Sequence, residues 1–183
     1  MSEGQRPEIA QLVVDHQTVL YRYAYRLCGN SFDADDLTQQ TYLLAHANLR
    51  QLRDPAGARS WLCAILRNCY LKSFRRWAPA PETDVGTSLA HLPQHADELP
   101  IDGERLQAAL DELPAEFKVV LLMFYFEDCS YREIAEQLQL PLGTVMSRLS
   151  RAKQHLRNRL LESELHTSAR GGRANREGHD ATR

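Results

Sequence analysis

The chain has 183 residues, 43% of them hydrophobic, and its 22 Lys and Arg against 24 Asp and Glu give a formal net charge of -2. That length holds one medium domain or two small ones, and the composition is that of an ordinary globular protein. Cys28, Cys63, Cys69 and Cys129 show neither C-x-x-C spacing nor a partnering histidine pair, which argues against a zinc site or a disulfide framework and leaves most of them as buried thiols.

The N-terminus, MSEGQRPEIAQLVVDHQ, lacks the apolar core of a signal peptide, and no segment approaches the roughly twenty apolar residues that cross a bilayer. A soluble cytoplasmic protein without membrane insertion is therefore expected. From Glu8 to Leu27 the apolar positions Ile9, Leu12, Val13, Leu20, Tyr23, Ala24 and Leu27 describe a helix, or two with a bend, stopped by Gly29-Asn30. Ser31 can start the next helix, which runs from about Asp33 to Leu49. Asp33, Asp35 and Asp36 crowd its first turn, where carboxylates favour the positive end of the dipole. Its inner stripe is read as Leu37, Tyr42 or Thr41, Leu44 and Ala45. After Asp54-Pro55-Ala56-Gly57 a third helix carries SWLCAILRNCYLKSFRRW, with Trp61, Leu62, Ile65, Leu66, Cys69 and Phe74 as core candidates.

Between Ala78 and Asp102 stand four of the eight prolines, and from Trp77 to Gly103 there are acids but no Lys or Arg. A segment of about 25 residues without periodicity is longer than a normal intradomain loop and reads as a linker. His91 and His95, within it, are read as solvated. The expected layout is all-α: a first helical domain over residues 8–77, a flexible linker over 78–103 and a second helical domain over 104–165. Beyond Leu165 the tail has almost no apolar residues and is expected to be disordered over 166–183.

The second domain opens with RLQAALDEL, ended by Pro114, then a helix, EFKVVLLMFYFE, that is apolar almost all round. The stretch from Ser130 to Arg159, SYREIAEQLQLPLGTVMSRLSRAKQHLRNR, has the layout of a helix-turn-helix. Ile134, Ala135 and Leu138 keep the spacing of a buried face, Leu140-Pro141-Leu142-Gly143 interrupts it as the turn, and Thr144 opens the second helix. From Leu138 to Leu161 there is no acidic side chain, while Arg148, Arg151, Lys153, Arg157 and Arg159 supply charge that phosphates attract.

Three blocks in this order, DADDLTQQTYLLA, SWLCAILRNCYLKSFRR and SYREIAEQLQLPLGTVMSRLSRAK, resemble the small two-domain sigma factors of the extracytoplasmic-function (ECF) group of the sigma-70 family. The resemblance covers about Ile9 to Leu161. It implies a bacterial initiation factor that binds core RNA polymerase, at the coiled-coil of the largest subunit and the flap of the second-largest, together with promoter DNA. An anti-sigma factor is a further implied partner, while no cofactor, metal or covalent catalysis is expected. The linker would thread near the RNA exit path.

The first block is similar to the family's core-binding segment and implies contacts from Asp36, Leu37, Gln39, Gln40, Thr41 and Tyr42, an amphipathic helix presenting apolar anchors beside polar groups. Here Gln40 replaces a common Glu and Thr38 an apolar residue. The second resembles the promoter-melting helix. Unstacked bases need apolar platforms and their backbone needs cations, and the resemblance assigns Asn68 to a flipped minus-10 base and Arg67, Lys72, Arg75 and Arg76 to phosphates. Lys72 stands where many members carry Asp, and Trp61 is read as core in preference to a stacking platform.

The third block resembles the minus-35 reader. Carried over by position, Thr144, Ser147, Ser150 and Arg151 reach base edges, Arg148 and Lys153 hold phosphates or support, and Val145, Leu149 and Ala152 point to the core. Met146 occupies a reading position where Arg is common, and a thioether cannot hydrogen-bond guanine as Arg does. Two other readings fit parts of this sequence: a polymerase-independent transcription regulator with a C-terminal helix-turn-helix, and a DNA-processing enzyme. The aromatic-basic helix from Trp61 to Arg76 is superfluous in the first, and no convincing nucleophile or metal cluster supports the second.

Overall fold

The computed structural model describes residues 8–75 and 103–171, so the expected linker, His91 and His95 lie outside the described residues. Those residues form seven α-helices, and no strand occurs among them. The N-terminal unit contains α1 (Ile9–Cys28), α2 (Ser31–Ala47) and α3 (Ala58–Arg75). The C-terminal unit contains α4 (Gly103–Asp111), α5 (Ala115–Phe126), α6 (Tyr131–Leu138) and α7 (Leu142–Gly171).

α1 is one unbroken helix of 20 residues, and it buries Leu12, Leu20, Tyr23, Ala24 and Leu27. Gly29 ends it in the left-handed region (φ 80), its N–H donating to the Tyr25 carbonyl at 2.8 Å. A side chain there would be strained twice over, because a Cβ would also stand 2.5 Å from Asp111 Oδ1. The cap of α2 is Asn30 rather than Ser31. Asn30 Oδ1 accepts the Asp33 N–H at 2.9 Å, and Asn30 Nδ2 donates back to Asp33 Oδ2 at 2.8 Å.

The inner face of α2 is Ala34, Leu37, Thr38, Thr41 and Ala45. Leu44, expected inside, is instead exposed, since the next turn of the buried face falls to Thr41 and Ala45. Short 3-10 turns at Leu49–Gln51 and Pro55–Gly57 lead into α3, the second capped by Asp54 Oδ1 accepting the Ala56 N–H at 3.0 Å. α3 buries Leu62, Cys63, Leu66, Cys69 and Tyr70, while Trp61 and Ile65 are only half-buried against that core. The Phe74 side chain lies outside what is described.

α5 is the hub of the second unit, with residues Lys118 to Met123 all buried; α6 and α7 pack on it together with α1 of the first unit, while α4 packs on α7 and α1. α6 begins with a complete capping box: the Ser130 N–H donates to Glu133 Oε2 at 2.7 Å and the Glu133 N–H to Ser130 Oγ at 3.3 Å. The Ser130 hydroxyl and N–H hold the Glu133 carboxyl below its usual range. Ser130→Ala is expected to cost about 1 kcal/mol of stability. The check is the midpoint of urea denaturation; one equal to wild type would mean that the cap is redundant.

The turn between α6 and α7 is made differently from the sequence expectation. Gln139 takes the left-handed conformation (φ 54), and the Leu140 N–H closes the turn on the Ala135 carbonyl at 2.9 Å. α7 then starts at Leu142, so Gly143 is already helical, and nothing in the fold stands within 4 Å of a Cβ there. Pro141 carries the fixed φ that suits a helix entry, which moves the start ahead of Thr144. α7 also runs on to Gly171, past Leu165 where order was expected to end, because each residue added to a formed helix gains a hydrogen bond even without tertiary packing.

Candidate nucleic-acid interface and docking faces

α7 divides by helical periodicity. Val145, Leu149 and Ala152 are buried against α5 and α6, as expected for positions three and four apart. Thr144, Ser147, Ser150 and Arg151 fall on the opposite face, partly exposed, and the exposed Gln154 continues that row. Gln154 Nε2 donates to Asn158 Oδ1 at 2.9 Å. Met146 and Arg148 lie on opposite flanks. The structure gives Lys153 another setting, with its ammonium over the rings of Phe124 (4.6 Å) and Tyr125 (5.2 Å), a cation–π pair that ties α7 to α5. Arg159 meets Glu112 in the turn that follows α4, and this hydrogen bond is the main reason that the Glu112 carboxyl sits below its usual range. Arg159 therefore tethers α7 to the turn between α4 and α5.

On α3, Asn68 and Lys72 are exposed and one turn apart, and Ile65 and Trp61 continue the same stripe at half burial. That stripe joins an apolar strip to an amide and a cation. Trp61 and Ile65, expected wholly in the core, serve both sides. Arg75 has no described side chain and Arg76 lies outside the described residues.

Arg67 departs from its expected role. It points away from the Asn68 stripe and is 3% exposed, sealed between the two units. Its Nη1 donates to both carboxylate oxygens of Glu127, at 2.7 and 2.6 Å, and its Nη2 donates to Gln137 Oε1 at 2.5 Å. The Tyr23 hydroxyl gives Glu127 a further hydrogen bond of 2.5 Å. Burial works against the Arg67 charge, but Glu127 outweighs it and holds the guanidinium pKa above its usual value. Burial first, and the Glu127 charge second, push the Tyr23 phenol well up and the neighbouring Cys63 thiol to about 12. A cluster of this kind loses about 3–5 kcal/mol when one ion partner is removed. The sequence offered one signal for it, an acid closing the otherwise apolar FYFE run.

α2 presents the third surface. Asp36, Gln39 and Gln40 are exposed on one face, and Phe32 and Leu43 fall on that same face at helical spacing, 74% and 73% exposed. Leu37 and Thr41, expected among the contacts, point inward, and Thr41 Oγ1 donates to the Leu37 carbonyl at 2.7 Å. Tyr42 lies on the flank. Its hydroxyl is buried without a hydrogen-bond partner among the described residues, and burial raises it to about 12. Phe32 and Leu43 escape a reading of the sequence because an apolar residue in an amphipathic helix is read as inward unless the packing says otherwise. Among the described residues there is no group of three potential metal ligands and no helix long and apolar enough to cross a membrane. The four cysteines are all free.

These surfaces define a two-unit helical protein with a C-terminal helix-turn-helix. Residues 12–78 match Sigma-70 region 2 and residues 103–156 match Sigma-70, region 4. The ECF RNA polymerase sigma factor SigE of Mycolicibacterium smegmatis is 34% identical over 179 residues, an alignment covering 91% of this chain and 66% of SigE. The RNA polymerase sigma factor HrpL of Pseudomonas syringae pv. syringae is 33% identical over 174 residues, covering 87% of this chain and 93% of HrpL. Among solved structures, the sigma factor RpoE of Bartonella quintana, crystallised with the anti-sigma factor NepR, shares the fold with a TM-score of 0.61. That likeness covers 84% of this chain and 96% of RpoE at 24% identity. The chain belongs to the sigma-70 family and, within it, to the ECF sigma factors.

Proposed function

We propose that the chain is an initiation factor that binds core RNA polymerase in the cytoplasm and directs it to promoters, reading a minus-35 duplex with α7 and a melted minus-10 strand with α3. The observation that carries this reading is the ordered pair of region 2 and region 4 matches on one chain, each with its exposed helix face. Thr144, Ser147, Ser150 and Arg151 read base edges, with Gln154 as a further candidate because an amide pairs well with adenine. Met146 and Arg148 flank them, Arg148 toward phosphate, and Lys153 acts by positioning α7.

Asn68 holds a flipped base beside Ile65 and Trp61, and Lys72, Arg75 and Arg76 follow the backbone. Asp36, Gln39, Gln40, Phe32 and Leu43 dock on the polymerase, with Leu37, Thr41 and Tyr42 shaping that helix from behind. The factor performs no covalent step. Melting comes from preferential binding of the unpaired strand, which offsets the cost of unpairing. An anti-sigma factor is a partner that this reading includes, since RpoE of Bartonella quintana was crystallised with one.

Transcription in vitro with purified core enzyme and a library of random promoters tests the reading. The expected product pool shares two sequence elements at a constant spacing, and it requires both chain and core. Specific duplex binding that is unchanged by core enzyme, with no directed transcription, would favour the polymerase-independent regulator instead. The exposed Phe32 and Leu43 speak against that alternative, because a simple duplex reader has no use for them.

A further inference from the structure

The outward side of α7 is not uniform in chemistry. Ser147, Ser150, Arg151 and Gln154 give it hydrogen-bonding groups, whereas one edge of its first two turns is apolar. That edge carries Leu142, 43% exposed at the first helical position, and Met146, half-buried and one turn further on. Two turns beyond Met146 the same edge reaches Lys153, whose ammonium is drawn over the rings of Phe124 (4.6 Å) and Tyr125 (5.2 Å). Whatever approaches Met146 from this side therefore meets carbon and sulfur. Gly143, one turn before Met146, is exposed as well, and nothing in the fold stands within 4 Å of a Cβ there. Glycine is a poor helix former, so no internal contact explains its presence in the first turn. A bare backbone at that point lets an outside surface close on the start of α7, beside Met146.

We propose that Met146, with Leu142 beside it, reads the 5-methyl group of a thymine in the minus-35 duplex, so that this chain selects a T·A pair where an arginine at the same position would select guanine. The proposal rests on the reading of α7 as the helix that enters the major groove. There each base pair shows a distinct edge, and thymine is the base whose edge includes an apolar group. A thioether has no donor for guanine O6 and N7 and is only a weak acceptor for the cytosine N4 amine. Pressing Met146 and Leu142 on those edges strips water from polar atoms without replacing their hydrogen bonds. On thymine the same two side chains cover a methyl group, and the flexible, polarizable thioether adapts to its shape. The preference thus has an attractive part and a part that rejects the other edges. Arg148, on the opposite flank of α7, is free to grip phosphate without competing for that base.

The test uses the full chain assembled with core RNA polymerase and the promoters selected from the random library. The wild-type minus-35 element should contain a T·A pair that relaxes to any pair in the pool selected with Met146→Ala and turns to G·C with Met146→Arg. Replacing that thymine with uracil removes the methyl alone, and it should weaken duplex binding by roughly three- to tenfold. Met146→Leu should keep this thymine-to-uracil ratio, while Met146→Ala should bring it to about one. Both variants should bind the uracil element within about twofold of wild type, which separates a lost methyl contact from loosened packing of α7. Leu142→Ala should lower the ratio by less, and an unchanged ratio there would overturn the share given to Leu142. A wild-type ratio near one at every thymine of the element, or a ratio that survives Met146→Ala, would overturn the proposal. If Arg148→Ala with Arg151→Ala weakens duplex binding while the ratio stays at one, the methyl contact alone has failed. If that double variant also binds as wild type does, the reading of α7 has failed with it.

Discussion

Leu43→Glu is expected to lower affinity for core RNA polymerase by about thirtyfold or more, the loss of roughly 2 kcal/mol typical of an interface anchor. Leu43 is 73% exposed and ends the α2 row that also carries Phe32, Asp36, Gln39 and Gln40. A carboxylate there has to be dehydrated against an apolar partner surface, whereas in the free chain it stays in water. Folding should be nearly indifferent, since Glu is a good helix former and the position packs against little. Val14→Glu is the control: Val14 is 76% exposed on α1, away from that face, and its replacement should leave polymerase affinity within about twofold. Equal affinities for the two variants would remove α2 as the docking helix.

The second large effect is expected on DNA. Arg148→Ala with Arg151→Ala should weaken binding of the holoenzyme to a duplex minus-35 element by about ten- to a hundredfold. It should also flatten the dependence of log K on log salt by about two, one for each phosphate that is no longer neutralised. If Arg151 reads a base instead, the slope should change by only about one and discrimination at one position should relax. Lys153→Ala is predicted to change the slope little, since its ammonium lies over Phe124 and Tyr125, and to act through a looser α5–α7 packing. Affinity and slope both equal to wild type in the double variant would refute α7 as the reading helix. The contrast between the two arginines and Lys153 separates charge that meets DNA from charge that supports the helix.

Much of the site is legible in the sequence because helical periodicity is a local property. Val145, Leu149 and Ala152 can be read as the buried row of α7 from their spacing alone, and the outward row of Thr144, Ser147, Ser150 and Arg151 follows. The capping box at Ser130 and Glu133 is likewise a four-residue signal. α2 is harder. Apolar groups stand on both of its faces, so the sequence supports several inner stripes, and periodicity places Leu44 inward while giving no reason to turn Phe32 and Leu43 outward. The turn falls a few residues earlier than its glycine suggests because Gln139 takes the left-handed position.

By itself the sequence determined the all-helical class, the two units, the helix-turn-helix and the sigma-family order of motifs, since each depends on residues near one another along the chain. Only the tertiary structure decided which side of α2 faces outward, that Lys153 rests on aromatic rings and that Arg67 is buried with Glu127. Arg67 and Glu127 are 60 positions apart, and nothing local to either pairs them. A guanidinium on a basic helix carries the same sequence signal whether it faces phosphate or a buried carboxylate. Its partner is chosen by how two separately folded units pack, where burial makes an unpaired charge costly and a matched pair tolerable.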